Sequence, residues 1–473
     1  MHSVKPLTLD ENRFFSSDPE QRRTALHLYE RIKDLPLVSP HGHVDPKILA
    51  ENSPFPDPAE LLVIPDHYLF RMLYSQGIPL EKLGVPRADG GETEQDHRKI
   101  WQTVADHFYL FRGTPTSVWL NHELYTVLGV RKRLTSETAM DIYDQIVETL
   151  SQPENLPRAM FERFNIEVLS TTDSPIDTLE HHERIKKSGW KGRVIPAFRP
   201  DNVTDLLYPN WKGNIKKLEQ VSGIDCGTYK GYIDALEKRR EFFKEMGATS
   251  TDHGVFSPFT IELDPKQAAK LYDKALQGKA TSEDASLFTA HMLMEMARMS
   301  IEDGFTMQIH PGVFRDHNQT IYEKFGKDKG CDIPMPTEYV KNLRPLLNKF
   351  GNNPDLTLVV FTIDETTYSR ELAPLAGHYP AMRLGPSWWF HDSREGMLRF
   401  RRMTTETAGF YNTVGFIDDT RAFPSIPARH DLARRIDCRY LAELVAESVL
   451  ELDEAEQVIV DLAYHLAKKT FKL

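Results

Sequence analysis

Leu35-Pro36-Leu37-Val38-Ser39-Pro40 is a short apolar run that stops abruptly at His41-Gly42-His43. Its length and composition suit a strand covered on both faces, with polar residues at the C-terminal end. The same design recurs seven more times. Ile166 to Ser170 ends in Thr171-Thr172-Asp173, and Arg193 to Phe198 ends in Arg199-Pro200-Asp201. Ala248 to Thr251 precedes Asp252-His253-Gly254, and Phe305 to Ile309 precedes His310-Pro311-Gly312. Leu356 to Ile363 leads into Asp364-Glu365, and Ala381 to Leu384 into Ser387-Trp388-Trp389. Thr413 to Ile417 ends in Asp418-Asp419-Thr420-Arg421. Most runs are separated by segments rich in Ala, Leu, Met, Glu, Lys and Arg at helical spacing, 266–302 and 394–408 among them. Eight such units predict an α/β fold of the (β/α)8 TIM-barrel class, with its site at the strand C-termini. The fourth run, short and poor in apolar residues, is the weakest of the eight.

One connection is far longer than the rest. Residues 44–165 separate the first run from the second and carry several helical patterns, such as Gln95 to Phe111 and Thr135 to Leu150. A structureless loop of that size does not fit a compact domain, so the pattern predicts a helical insertion contributing to the active site. The chain therefore divides into 1–43 (an N-terminal segment and strand one), 44–165 (the insertion) and 166–473 (the rest of the barrel with C-terminal helices). In the last of these, Asp453 reads as an N-cap with Glu456 at N3. Ala455, Ile459, Leu462 and Leu466 then share a face, predicting a helix packed on the barrel exterior.

Composition narrows the function. A chain of 473 residues with a net charge of −11 and no long basic tract does not suit a nucleic-acid or anionic-membrane partner. An anionic small molecule would have to be held by a few local Arg or Lys side chains. Three widely spaced cysteines (Cys226, Cys331, Cys438) form neither a disulfide framework nor a CxxC site. The N-terminus lacks the pattern of a signal peptide, and no run approaches ~18 apolar residues. These features lead to the expectation of a cytoplasmic protein, and a homo-oligomer is compatible with them.

The chemistry-bearing residues sit at the strand ends. His41 and His43 are two apart, so both imidazoles point to one side and can converge on a divalent cation inside a barrel. The alternative is a loop holding two unrelated histidines. Asp419 ends the eighth run, which neighbours the first when a barrel closes, so it can complete a His-His-Asp set that leaves open positions. The alternative is a solvated Asp418-to-Arg421 turn. Asp418 should point away from Asp419. Arg421 lies on the same side as Asp419, and Arg199 at the third strand end suits capture of a carboxylate. Arg199 reads equally as a structural partner of Asp201. His310 is a further ligand, a polarising group or a satisfied core histidine. At most one of Trp388 and Trp389 is expected to reach a substrate.

With these residues in hand, the chain resembles the uronate (glucuronate) isomerase family of the amidohydrolase superfamily. The resemblance spans nearly the whole chain. It rests on Ser39-Pro40-His41-Gly42-His43, Asp66-His67-Tyr68, Thr171 to Asp177 with Leu179-Glu180-His181-His182, Phe198-Arg199-Pro200-Asp201, Ser387-Trp388-Trp389-Phe390 and Asp419-Thr420-Arg421. It implies a barrel of the metal-dependent hydrolase type and interconversion of a hexuronate aldose with its ketose. D-glucuronate with D-fructuronate is such a pair, as is D-galacturonate with D-tagaturonate. It also implies one divalent metal ion, usually zinc, on His41, His43 and Asp419. The substrate would lie among His67, Tyr68, Arg199, Trp389 and Arg421. The sequence alone does not single out His67 or Tyr68, since a His-Tyr pair in a helical insertion is ordinarily structural.

Two absences separate this chain from the superfamily's hydrolases. The third and fourth runs do not end in a lysine able to bridge two metals, and the sixth ends in Thr362-Ile363-Asp364-Glu365 in place of a ligand histidine. His310 matches the fifth-strand histidine and remains open as a ligand. Isomerisation would proceed by proton transfer through a cis-enediol. Tyr68 and Asp419 are the candidate shuttles, and Arg199 and Arg421 the donors to a carboxylate or developing oxyanion. A mononuclear metallohydrolase, with Asp419 activating a bound water, and a non-enzymatic carbohydrate-binding protein are the competing readings.

Overall fold

The computed structural model describes residues 5–473. Seven parallel strands form one sheet in which chain order and spatial order agree. They are β1 (Leu37–Ser39), β2 (Ile166–Asp173), β3 (Arg193–Phe198), β4 (Ser250–His253), β5 (Thr306–Ile309), β8 (Leu358–Val360) and β9 (Met382–Leu384). Between β5 and β8 the chain inserts a small antiparallel hairpin of β6 (Val313–Phe314) and β7 (Ile333–Pro334). The sequence reading did not include this hairpin.

The eighth run forms no strand. Thr413 makes an isolated parallel bridge with Leu384, and seven residues further on the Thr420 carbonyl accepts the His43 N–H at 2.8 Å. The segment therefore touches β9 at its start and the end of β1 at its finish, with too few ladder bonds between to count as a strand. Gly415 in its middle has φ +77, a left-handed conformation that breaks the extended backbone. The fourth run pairs as expected but starts later, and β4 meets β3 through the single pair Phe198↔Thr251.

Alternation sorts the strand residues into two sets. Phe198, Met307, Ile309, Leu358 and Val360 face outward into a core shared with Leu218, Tyr232, Phe243 and Phe288. Val38, Val168, Ile195 and Val359 face inward. The inward set packs against Ala467 and Phe471, and Thr306 Oγ1 donates to the Thr470 carbonyl at 2.6 Å. The last turns of the chain thus close the end of the sheet opposite the strand C-termini.

This corrects the expectation of an exterior C-terminal helix. Its first half does lie outside, where Ala455, Ile459 and Leu462 meet Leu28, Ile32 and Leu441. The helix then passes through a π-turn at Asp461–His465, and its last turns pack on the inward-facing strand residues. The cap is also corrected. Glu451, not Asp453, occupies the N-cap, and it forms a capping box with Glu454.

Residues 44–165 carry helices, among them Pro58–Leu62, His67–Ser75, His97–His107, Pro115–His122 and Ala139–Leu150. Aspartates cap three of them: Asp57, Asp66 and Asp96 each accept backbone N–H bonds of the first turn. Phe70, Leu73, Ile100, Trp101, Ile142 and Ile146 bury these helices in a core continuous with Leu37, Ile166, Leu169 and Val194 of the sheet. Among the described residues, no helix is long and apolar enough to cross a membrane.

Candidate active site

His41 and His43 leave the end of β1 with their rings 5.3 Å apart and nearly perpendicular. Asp419 comes from the far end of the chain and stands against both. Its Oδ1 lies 3.4 Å from His41 Nε2 and 3.2 Å from His43 Nε2. A tetrahedral cation with bonds of about 2.0–2.1 Å separates its ligands by about 3.3 Å. Asp419 Oδ1 is also buried without a hydrogen-bond partner, as a donor atom reserved for a cation would be. Two imidazoles and a carboxylate are a suitable donor set for zinc and its neighbours. The residues therefore fit a single divalent metal.

Asp419 is held by its other oxygen, which accepts the indole N–H of Trp388. Its φ of +44 is a left-handed conformation uncommon outside glycine. Burial opposes charge on this carboxyl, but His41 and His43 outweigh it and keep it well below the usual carboxylate range. Asp418 points the other way and accepts from Ser39 Oγ at 2.8 Å.

A second layer lies beside the first. The His310 ring stacks on His41 at 4.7 Å with planes 23° apart. His310 Nδ1 bonds Asp252 Oδ1 at 2.6 Å, while its Nε2 has no partner. His41, Asp252 and His310 also form a group compact enough to hold a cation. Ring-nitrogen lone pairs lie in the ring plane, however, and two stacked imidazoles do not aim at one point. Arg199 adjoins this layer. Its Nη1 is 3.1 Å from Asp252 Oδ2 and its Nε donates to Asp201 at 2.7 Å. Burial works against charge on Asp252, but Arg199, His310 and His41 hold its carboxyl well below the usual range. The pairing of Arg199 with Asp201 expected as its structural alternative is thus present, together with a partner that reasoning from sequence missed. Asp252 did end the fourth run, so its position was the available signal, obscured by the weakness of that run.

Residues between β1 and β2 also line the site. Asp66 caps the helix His67–Ser75 and accepts the Tyr68 N–H at 2.7 Å, which places His67 and Tyr68 in the first turn. Their rings stack at 4.4 Å. Burial, assisted by Arg421, pushes His67 down to about 3, and burial raises the Tyr68 phenol above its ordinary value despite the nearby Arg429. Trp389 meets the His67 ring edge-on at 5.8 Å. Arg421 is among the more exposed of these groups and faces Asp328, 3.5 Å away in the loop between β6 and β7.

A cleft of about 560 Å³, open mouth included, runs between Asp419 and the insertion. His67, Tyr68, Asp419 and Arg421 line it, together with Trp119, Glu123 and Arg429. His41, His43, Arg199, His310 and Trp389 do not, so the cleft meets the histidine cluster through Asp419. Arg429 donates to the Asp418 carbonyl at 2.7 Å and to Asp392 at 3.1 Å, and lies over the Trp119 ring. Glu123 and Arg429 sit within helical stretches, where nothing in the sequence distinguishes them from structural charges.

A family model described as glucuronate isomerase matches residues 11–471. A uronate isomerase of Rhizorhabdus wittichii is 56% identical over 471 residues, covering 100% of both chains. Among solved structures, glucuronate isomerase from Caulobacter crescentus superposes with a TM-score of 0.97 at 53% identity, over 99% of this chain and 98% of that one. A uronate isomerase from Thermotoga maritima gives a TM-score of 0.91 at 28% identity, over 98% and 99%.

Proposed function

Because this chain belongs to the glucuronate isomerase family, we propose that it interconverts D-glucuronate and D-fructuronate, and D-galacturonate and D-tagaturonate, by proton transfer through a cis-enediol. The observation that carries this reading is the convergence of His41, His43 and Asp419 at the inner end of a cleft walled by Arg421, His67 and Tyr68. In this reading the segment from Thr413 to Thr420 is the eighth stave of a (β/α)8 barrel, and 44–165 is the unit that contributes the cleft's outer wall.

His41, His43 and Asp419 would hold one divalent metal, zinc in this reading, and when bound it would supply Lewis-acid stabilisation of negative charge developing on the sugar. The proton itself is moved by side chains. Asp419 is ionised and oriented by Trp388, so it is the group suited to take the C2 proton and return it at C1 while the hydroxyl proton passes from O2 to O1. Tyr68 is held neutral by burial and serves as a hydrogen-bond donor to a sugar oxygen, not as the resting base. Arg421, the freer guanidinium, pairs with the C6 carboxylate. Arg199 is partly engaged by Asp201 and Asp252 and steadies oxyanion charge from the other side. His310, fixed through Nδ1 by Asp252, stands behind the cleft with its Nε2 buried and unpartnered beside His41. Trp389 packs the wall beside His67.

The test is turnover of both uronates with metal analysis before and after chelation, together with the fate of deuterium at C2. Washout of label into solvent supports proton transfer. Complete retention at C1 defeats it in favour of hydride transfer, and full activity of metal-free protein removes the metal from the reading.

A further inference from the structure

Glu123 is an unusual residue to find at the back of a cleft. It is only 4% exposed, yet it lines the same cavity as Asp419 and Tyr68. Its carboxyl accepts or donates no hydrogen bond among the described residues; the charges it feels are those of Asp66 and Arg429. A carboxyl on a nearly buried side chain, with no protein partner and its oxygens not fully occluded from the cleft, is placed to bond a ligand. Its backbone setting is also unusual. The helix Pro115–His122 ends where a π-turn, Glu123–Val127, begins, and Glu123 heads that turn. Single π-turns carry one extra residue, redirect the side chains at that point, and concentrate at functional sites.

We infer that Glu123 is a specificity-determining residue whose carboxyl hydrogen-bonds the C3–C5 hydroxyls of the bound sugar acid. Asp419 and Arg421 line the same cleft as Glu123, so a substrate engaging them by its reacting carbons and carboxylate brings its intervening hydroxyls into the cavity that Glu123 lines. Burial, then Asp66, raise the Glu123 carboxyl to about 8, so at neutral pH it is an acid with both a donor and an acceptor. A sugar hydroxyl can engage both, whereas an anion would offer only the second.

The inference rests on the isomerase reading, and kinetics of the metal-loaded enzyme separate the two. The variants are E123M, which keeps the volume and removes the polar atoms, and E123Q, which keeps a donor and an acceptor. The expected result for E123M is a KM raised about tenfold, with kcat within about threefold. The ratio of KM values for glucuronate and galacturonate, which differ at C4, shifts as well. Because the carboxyl has no protein partner to lose, the E123M melting temperature does not fall. E123Q recovers most of the KM. Unchanged KM for both sugars in E123M overturns the inference, as does a loss of kcat accompanied by a lower melting temperature, which marks a structural role. Wild-type enzyme that turns over neither sugar strikes the isomerase reading instead.

Discussion

Replacing Glu123 by Gln tests the burial of a neutral acid directly, without substrate. The carboxyl ordinarily titrates near 4.5 and is raised to about 8 in the fold, by burial first and by Asp66 second, against Arg429. Below pH 4.5 both the folded and the unfolded chain hold the proton, and the contribution to stability is complete. As pH rises the unfolded chain releases its proton while the folded chain retains it, so stability falls by about 1.4 kcal/mol per pH unit until about pH 8. The full gap corresponds to ~5 kcal/mol. Glutamine does not titrate and escapes this loss. Unfolding entropy of about 2.1 cal/mol/K per residue gives a chain of this length roughly 1 °C of melting temperature per kcal/mol. The offset in melting temperature, E123Q minus wild type, should therefore grow by about 4 °C between pH 5 and pH 8. Scanning calorimetry of the metal-loaded proteins in matched buffers reads it. An offset that is constant over that range refutes the argument that Glu123 is held as a neutral acid.

Trp388→Phe removes the donor to Asp419 Oδ2 while keeping the packing against Phe361 and His310. It should lower kcat about tenfold or more at unchanged metal content, measured by steady-state kinetics and metal analysis. In Gly254→Ala the new methyl would stand 2.2 Å from Arg199 Nη2 and 2.8 Å from Asp201 Oδ2, forcing the guanidinium aside. The expected outcome is a KM for uronate raised about tenfold, with a circular dichroism spectrum like wild type. Arg401→Met breaks a buried bidentate pair with Asp437, whose bonds are 2.7 and 2.8 Å, and strands the carboxylate. It should cost about 3–5 kcal/mol, read as a melting temperature lower by roughly 3–5 °C, with kcat/KM intact at 25 °C.

Much of this molecule follows from local rules. Short apolar runs ending in polar residues marked all seven strands of the sheet, because a strand covered on both faces must be apolar until it emerges at a functional rim. His41 and His43 converge because side chains two apart on extended backbone share a face. Asp66 before His67 and Tyr68 is a helix cap written in three letters. Other features depend on what lies across space. Glu451 displaces Asp453 as a cap, and the final turns pack on the inward strand faces because Ala467 and Phe471 meet an apolar lining that exists only once the strands curve together. The bond from Trp388 to Asp419, the stacking of His310 on His41 and the isolation of Glu123 are likewise meetings of distant segments. Periodicity states which face a residue occupies. Only the tertiary arrangement of strands and helices states what that face looks at, since burial and charge at a site are sums over neighbours that no local stretch contains.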